Sequence, residues 1–361
     1  MRALQVYAGA RARRQLRERG LAPGDVGAIP AAAGGPKGLV LLPLDRYLFG
    51  DWLRGPGRVV HLIGASIGAW RMAAVCRADA AAAIAELTDD YVAQRYPHEP
   101  GRLPKAGVVS AALAQHLDER LGRHAAELLA HPRLRLHVFT GRGRGLLQPP
   151  LPIAPGWAAA FAANAIDRRA LGGFVERVVF SDPRDPLPLA LPGYPTRRVA
   201  LTPANVAAAV RASCSIPFVL DAVADIPGAP PGRYWDGGIT DYHLHLDYTT
   251  LADGLVLYPH FGPQLIPGWL DKRWTRRHGA TPDLDNLVLL APHPDWVRTL
   301  PGAKLPDRQD FATWVDDESG RERLWRRAIA ESRRLADEFA ALVTGGGPIE
   351  ALPLAGVPGL G

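Results

Sequence analysis

Cysteine, lysine and long apolar runs are all scarce in this chain of 361 residues. The two cysteines, Cys76 and Cys214, lie in apolar, helix-like stretches, which argues against a disulfide framework or a cysteine-based metal site. No apolar run approaches the roughly 20 residues that cross a bilayer. The N-terminus is rich in arginine but lacks the apolar core of a secretory signal. These absences predict a soluble, cytoplasmic protein.

Charge and composition further limit which classes of protein the chain can belong to and which partners it can bind. Hydrophobic residues make up 47% of the chain and charged residues 22%, which is enough apolar material for a large core. Lysine and arginine total 42 against 36 acidic residues, for a net charge of +6, and only four of the basic residues are lysine. This moderate positive charge favours anionic surfaces such as phospholipid headgroups. It is too small and too dispersed to predict a nucleic-acid partner.

Strands and helices alternate near the start of the chain. The apolar run 26–33 predicts a strand that ends at two glycines, and 37–53 predicts the helix that follows it. Residues 58–63 and 67–77 repeat this strand-then-helix order. Pro30 is awkward inside the first strand, because proline cannot donate to a central ladder. The order predicts an α/β fold with a mostly parallel central sheet flanked by helices.

Further strands and the outer segments complete the predicted layout. Short apolar runs predict strands over residues 134–140, 175–181, 198–201, 254–258 and 287–291. We expect a single domain over residues 1–361, with a basic N-terminal helix in 1–22 and a long amphipathic helix in 316–344. The Gly/Pro-rich tail, 345–361, is expected to be flexible.

Gly64-Ala65-Ser66-Ile67-Gly68 has the glycine spacing of a nucleophile elbow. A strand is predicted before it and a helix after it, which would hold the Ser66 side chain above the sheet edge. Gly64 and Gly68 remove side chains where strand and helix approach each other. The helix that begins at Ile67 offers free N–H groups and a partial positive charge. An ordinary tight turn is the alternative interpretation.

A glycine-rich stretch, G-G-P-K-G at residues 34–38, lies one strand–helix unit upstream. Glycines let backbone N–H groups converge on a small anion. The order and spacing do not match a P-loop, so an oxyanion is a better ligand than a nucleotide phosphate. Pro36 has no N–H, so the donors must come from neighbours such as Gly34, Gly35 or Lys37. A simple glycine-rich connection is the alternative.

A third stretch, Asp236-Gly237-Gly238, follows an apolar and aromatic run. An acidic residue at a strand end, with open backbone after it, would supply the proton acceptor that Ser66 lacks. An ordinary Asp-Gly-Gly turn is the alternative interpretation.

Together, the three stretches resemble the patatin-like phospholipase family: G-G-x-K-G, then G-x-S-x-G, then D-G-G. The segment 212–218, A-S-C-S-I-P-F, also resembles the small-residue segment that precedes D-G-G in the family. The resemblance spans roughly residues 26–240. It implies a three-layer α/β/α hydrolase that cleaves lipid acyl esters with a serine and an aspartate, without a metal or cofactor.

Carried over position by position, the resemblance implies that Ser66 is the nucleophile and Asp236 its partner. The remaining implied site residues are Gly34, Gly35, Lys37, Gly38 and Ile67 for the oxyanion hole, and Gly64, Gly68, Gly237 and Gly238 as motif glycines. The sequence departs from the family pattern at three positions. Ala33 stands where a third glycine is common, Pro30 lies in the leading strand, and Asp241 follows where Asn is frequent.

The base that takes the Ser66 proton is the main open choice. The resemblance assigns it to Asp236, whose pKa of about 3.9 must be raised by partial burial beside Trp235 to suit that role. A Ser–Asp–His triad with a late histidine, such as His278 or His293, is the alternative.

Asp241, His243, His245 and Asp247 alternate, so a strand would place all four on one face. Such a set could hold Zn²⁺. We expect a polar strand face or loop there, and no metal.

The sequence therefore predicts a serine hydrolase that cleaves lipid acyl esters through a Ser–Asp dyad and an acyl-enzyme, with peripheral contact to an anionic membrane surface. Two alternatives stay open. The same dyad could hydrolyse another ester, such as an intracellular polyester or an acyl thioester. The chain could also be a catalytically silent protein that binds a lipid or an anion.

Overall fold

The computed structural model describes residues 1–251 and 254–354. The strands in this part of the chain are β1 Leu4–Ala8, β2 Val26–Ala31, β3 Val60–Gly64, β4 Leu134–Gly143, β5 Val175–Ser181, β6 Thr196–Ala200, β7 Val223–Ala224, β8 Arg233–Asp236, β9 Leu255–Pro259, β10 Leu287–Pro292 and β11 Leu352–Pro353. The α-helices are α1 Ala10–Arg19, α2 Leu42–Tyr47, α3 Ile67–Val75, α4 Ala80–Val92, α5 Ala106–Leu117, α6 Ala125–Ala130, α7 Ile153–Ile166, α8 Val206–Cys214, α9 Gly238–Asp241, α10 Pro294–Val297, α11 Gln309–Thr313, α12 Glu318–Glu331 and α13 Arg333–Thr344.

The strands form one mixed sheet in the order β11-β1-β10-β9-β2-β3-β4-β5-β6, and β8 pairs with β4 and β7. The five central strands from β10 to β4 run parallel, whereas β1 is antiparallel to β10, and β5 and β8 are antiparallel to β4. Leu62 and Ile63, successive residues of β3, belong to two separate buried clusters. Both faces of the sheet are therefore covered, as parallel strands require. The predicted mostly parallel sheet with flanking helices is confirmed.

Pro30 lies near the end of β2, where the sheet tolerates it. The pairing of β2 with β9 ends at Ala28, so Pro30 lies beyond the last residue paired to that neighbour. On the other side, Pro30 stays in register with Ile63 of β3. The missing N–H of a proline is accepted at such a strand end.

Within residues 1–22, the expected basic helix is preceded by a strand. Leu4–Ala8 forms β1, which pairs with β10, and the helix α1 covers Ala10–Arg19 alone. The burial of β1 alternates, with Leu4 and Val6 buried and Gln5 between them half-buried. The basic helix is thus present within the expected range, whereas the strand before it was not predicted from the sequence.

The segment predicted as one helix over 37–53 consists of three pieces. A 3₁₀ helix covers Gly35–Leu41, α2 follows, and a π-helical turn covers Leu48–Trp52. Pro43, the second residue of α2, has no N–H and so cannot continue the hydrogen-bond pattern of the preceding segment. The helical direction is kept, but its geometry changes twice.

The long helix predicted within 316–344 is two helices, α12 and α13, which meet at Ser332. The Ser332 hydroxyl donates to the carbonyl of Ile329 at 2.7 Å, a side-chain bond that competes with regular helix geometry. The predicted flexible tail lies outside the described residues from position 355 onward. Among residues 1–251 and 254–354, no helix combines the length and apolar character needed to cross a bilayer.

Candidate active site

Ser66 lies on a sharp turn between β3 and α3. Its backbone has φ 56° and ψ −130°, a left-handed conformation that is strained for a residue with a side chain. Strand and helix approach so closely that a Cβ on Gly68 would lie 1.9 Å from the carbonyl oxygen of Ala31. A Cβ on Gly64 would lie 2.4 Å from the Cα of Ala69. Because only glycine fits at both positions, the five residues form a strand–turn–helix elbow.

The strands β3 and β8 meet end to end along one flank of β4. β3 runs parallel to β4 and ends at Gly64, opposite Val138. β8 runs the other way and ends at Asp236, opposite Thr140. The two partner positions in β4, Val138 and Thr140, are two residues apart, a distance of about 7 Å at the usual rise of a strand. The topology of the sheet therefore brings Asp236 to Ser66 although the two are far apart in sequence.

The Asp236 carboxylate is buried, with 5% of the residue exposed. Its Oδ1 accepts the N–H of Gly238 at 2.7 Å, and its Oδ2 has no hydrogen-bond donor within the described residues. Burial raises the pKa of Asp236, and Arg308, the Ser66 hydroxyl and the Gly238 N–H each lower it in part. A carboxylate with a raised pKa and an unused oxygen beside a hydroxyl has the properties of a general base.

Two glycines let the chain leave Asp236 without a clash. A Cβ on Gly237 would lie 2.1 Å from the carbonyl oxygen of Phe139 in β4. A Cβ on Gly238 would lie 2.6 Å from the Cβ of Ala33 and 2.9 Å from Oδ1 of Asp236. The methyl group of Ala33, where a third glycine is common in the family, therefore packs directly against the glycine that binds the carboxylate.

The segment 212–218 positions both candidate catalytic residues. Ser213 Oγ accepts the backbone N–H of Ser66 at 2.9 Å and donates to the carbonyl of Phe139 in β4 at 2.7 Å. The carbonyl of Ser215 accepts the backbone N–H of Asp236 at 2.8 Å. One short segment thus connects the elbow, the aspartate and β4. The sequence indicates this segment through the family resemblance, but no pattern in it predicts a role for Ser213.

Backbone N–H groups without acceptors surround the Ser66 side chain. Gly34 and Gly35 donate no backbone hydrogen bond within the described residues, and Gly35 has a left-handed φ of 58°. Ile67 begins α3, where the first N–H groups of a helix have no intrahelical acceptor. Gly35, Ser66 and Ile67 line the same cavity. Lys37 belongs to the 3₁₀ helix, whose i→i+3 pattern commits its N–H to the helix itself.

An apolar cavity of about 350 Å³ opens beside Ser66. Its lining is mostly aromatic and aliphatic and includes Trp70, Tyr91, Leu113, Ile216, Phe218 and Phe311. Phe218, Val219 and Leu103 are exposed apolar residues on its rim. An apolar cavity with a few convergent polar groups at one end is the usual form of a site for a small apolar ligand.

In the described residues, three cations lie around the serine and the aspartate, and the sequence-based prediction included Lys37 alone. Arg308 precedes α11 and lines both the apolar cavity beside Ser66 and a smaller one beside Asp236. Lys272 is close enough to lower the pKa of Asp236. Both missed residues lie in loops of the last third of the chain, and Lys272 is one of several basic residues in its segment. No local pattern in the sequence marks such positions.

The late-histidine alternative finds no support in the geometry. All eleven histidines lie within the described residues, and none of them lines either cavity of the site. The ring of His278 bonds to the carbonyl of Asp271 at 2.9 Å. His293 caps α10 by accepting the N–H of Asp295. Both rings are therefore occupied away from the dyad.

The alternating stretch 241–247 forms no strand, and the loop that was expected as the other possibility is found there. It consists of the end of α9 followed by a turn and an irregular segment. Asp241 forms a buried, bidentate ion pair with Arg177, with both contacts at 2.7 Å. His245 lies 2.9 Å from the hydroxyl of Thr281. The side chains have separate partners and share no face, because the chain turns where a strand would have continued.

Fold and site first define a class: an α/β protein with a serine at a strand–turn–helix elbow. Residues 34–243, more than half of the chain, match the family profile of the patatin-like phospholipases. The chain therefore belongs to the patatin-like phospholipase family, which confirms the resemblance seen in the three motifs.

One solved structure similar to this chain is that of the type III effector protein ExoU. The two are 13% identical, and the match covers 95% of this chain and 65% of the ExoU chain, with a TM-score of 0.29. This chain thus spans slightly less than two thirds of the length of ExoU. No curated protein matches the sequence at a significant level.

Proposed function

We propose that this protein hydrolyses acyl esters of lipids, with Ser66 as the nucleophile and Asp236 as the base. The observation that carries the proposal is the end-to-end meeting of β3 and β8. It brings a serine on a strained elbow to a buried carboxylate at one end of an apolar cavity. Family membership supports the general class of reaction, and the geometry supports these two residues.

In the first half-reaction, the Asp236 carboxylate takes the proton of the Ser66 hydroxyl while Oγ attacks the ester carbonyl carbon. The carbonyl electron pair moves to oxygen, and the N–H groups of Gly35, Gly34 and Ile67 bind the resulting oxyanion. One well-placed donor of this kind contributes about 3–4 kcal/mol to a transition state. The intermediate then expels the alcohol, which takes the proton back from Asp236, and leaves an acyl-Ser66 ester.

The second half-reaction repeats these steps with water. Asp236 takes a proton from a water molecule whose oxygen attacks the acyl carbon, and the same N–H groups bind the second oxyanion. When this intermediate collapses, the proton returns to Oγ of Ser66 and the fatty acid leaves. A raised pKa suits Asp236 to both directions of transfer, because a base works best when its pKa approaches the working pH.

The apolar cavity supports an acyl chain as the group next to the scissile ester. Its exposed rim supports delivery from a lipid surface. α5 lies beside that rim and contains no Asp, Glu, Lys or Arg in its 12 positions, although most of them are at least partly exposed. Phe218 is 59% exposed and has a left-handed φ of 68°, so the chain holds a large apolar side chain in solvent at a cost in strain. We infer that this rim makes the peripheral membrane contact.

Hydrolysis of p-nitrophenyl esters of graded chain length tests the proposal. We expect the wild type to turn over, and Ser66→Ala and Asp236→Asn to fall to background while retaining the wild-type circular dichroism spectrum. A longer preferred chain would support lipids, whereas a preference for acetyl or for thioesters would favour another ester as substrate. A wild type that binds the esters without hydrolysing any of them, alone or with vesicles, would identify a silent binding protein and contradict the proposal.

A further inference from the structure

Arg308 is a half-buried arginine that forms no ion pair among residues 1–251 and 254–354. It packs against the oxyanion loop, with Nε 3.0 Å from the Cβ that an alanine at Gly35 would carry. It also lines the cavities beside Ser66 and beside Asp236. In the part of the chain that the structure describes, its side chain makes no ion pair and no hydrogen bond. The five N–H donors of its guanidinium are therefore available to a ligand.

Two lysines bring further positive charge to the same place. Nζ of Lys272 lies 4.3 Å from the ring centre of Tyr242, which lines the cavity beside Asp236. Nζ of Lys37 lies 5.4 Å from the ring centre of Phe261. Neither ammonium forms an ion pair among residues 1–251 and 254–354. Aromatic rings, rather than carboxylates, position both lysines.

The acidic residues nearby are already paired. Asp307 and Asp310 bind Lys304 at 2.8 and 2.7 Å. Asp271 binds two arginines of its own. Among the described residues, Asp236 is thus the one carboxylate beside Arg308 and Lys272 that has no ion-pair partner. The site carries an excess positive charge before any substrate arrives.

Positive charge around the site also lowers the tendency of the two lysines to stay protonated, as their pKa values indicate. Burial first, and then Arg308 and Lys37, lower the pKa of Lys272 to about 8. Burial likewise lowers the pKa of Lys37, with Arg308 contributing in the same direction. A bound anion would relieve this repulsion, because an opposite charge favours the protonated form of each lysine.

We propose that Arg308 and Lys272, assisted by Lys37, form a binding site for the phosphate of a phospholipid whose acyl ester lies at Ser66. The proposal rests on the hydrolase function proposed above. A guanidinium binds two phosphate oxygens at once, and an ammonium adds a point charge. The single negative charge of a phosphodiester offsets part of the excess positive charge. A neutral acylglycerol has no charge that could offset this excess positive charge. The site therefore selects phospholipids over acylglycerols.

The first test compares two short-chain substrates that differ in the phosphate, dihexanoylphosphatidylglycerol and dihexanoylglycerol. We expect Arg308→Gln to lower the ratio of kcat/KM for phospholipid over acylglycerol roughly 10- to 100-fold, since charge-assisted bonds are lost. Arg308→Lys keeps the charge but loses the fork, so its ratio should fall less. Arg14→Gln, on the exposed side of α1, removes the same charge elsewhere and should leave the ratio unchanged.

The second test measures binding without turnover. Ser66→Ala protein is titrated by calorimetry with dihexanoylphosphatidylglycerol, dihexanoylglycerol and inorganic phosphate. We expect the phospholipid to bind most tightly, and its advantage over the acylglycerol to disappear in Ser66→Ala/Arg308→Gln. If Ser66→Ala still hydrolyses esters, the proposed function fails, but the two binding constants for the intact lipids still report on the phosphate site.

Two results would overturn the phosphate site. One is a folded Arg308→Gln protein whose ratio of kcat/KM for phospholipid over acylglycerol equals that of the wild type. The other is inorganic phosphate that binds as tightly as the phospholipid, because the cations would then hold a free anion rather than a lipid headgroup.

Discussion

The Asp236 carboxylate is buried with one oxygen that lacks a donor, and this state has a measurable consequence for activity. Burial raises its pKa, and a base must be ionised to accept a proton. We expect kcat/KM for a p-nitrophenyl ester to rise with pH through an acidic limb that lies above the ordinary carboxyl value of about 3.9. Rates between pH 3.5 and 9 check this. A flat profile, or a limb at the ordinary value, would count against Asp236 as the base.

The same burial should make Asp236 costly for stability. A carboxyl whose pKa is raised by folding holds its proton more tightly in the folded state, so its contribution to stability falls as pH rises above the unfolded-state value. We therefore expect Asp236→Asn to unfold at a higher temperature than wild type at pH 8, with a gain of roughly 1 kcal/mol. The gain should shrink at pH 4. Melting curves at both pH values test the sign, and an Asp236→Asn protein that is less stable at pH 8 would contradict it.

At the scale of elements, Ser213 connects three of them through one hydroxyl group. Ser213→Ala would leave the N–H of Ser66 and the carbonyl of Phe139 without this partner in a buried place. We expect a loss of about 1–3 kcal/mol in the free energy of unfolding, and a lower kcat because the elbow is no longer held. Ser215→Ala is the matched control, since that hydroxyl bonds to the carbonyl of Arg211 within its own helix. Equal losses in both variants would show that Ser213 has no special role.

Structural elements that are determined by a few neighbouring residues could be predicted from the sequence. The elbow between β3 and α3 has glycines at the two positions where any Cβ would clash. Because the spacing of these glycines is visible in the sequence, the turn could be predicted from the motif alone. The break at Ser332 and the strand 4–8 were missed. A helix that continues in nearly the same direction keeps its apolar period across a break, and a five-residue strand shows too few alternations to be distinctive.

At the scale of the whole molecule, the meeting of Ser66 and Asp236 could be expected only from the family resemblance. The meeting depends on β8, which runs antiparallel along β4 just past the end of β3. No local sequence pattern predicts that β8 pairs with β4 or the register of this pairing. Arg308 and Lys272 are further examples, since loops outside the three motifs bring them to the site. The last third of the chain therefore contributes more to the site than its sequence indicated.

The cavity shape belongs to the whole molecule as well, because residues from Gly35 to Phe311 line it. Leu113 on α5 is part of the lining, so Leu113→Trp should fill it and shift the preferred acyl chain to a shorter one. Ala112→Trp places the same side chain at the next residue of α5, which does not line the cavity, and should keep the wild-type preference. The kcat/KM series over chain length measures both. An unchanged optimum in Leu113→Trp would show that the acyl chain lies elsewhere.

Covalent labelling with an alkyl fluorophosphonate, followed by peptide mass spectrometry, is the most direct test of Ser66 as the nucleophile and Asp236 as its base. We expect a single adduct on Ser66 in the wild type, no adduct in Ser66→Ala, and much slower labelling in Asp236→Asn. An adduct on another residue, or labelling of Asp236→Asn at the wild-type rate, would contradict these roles.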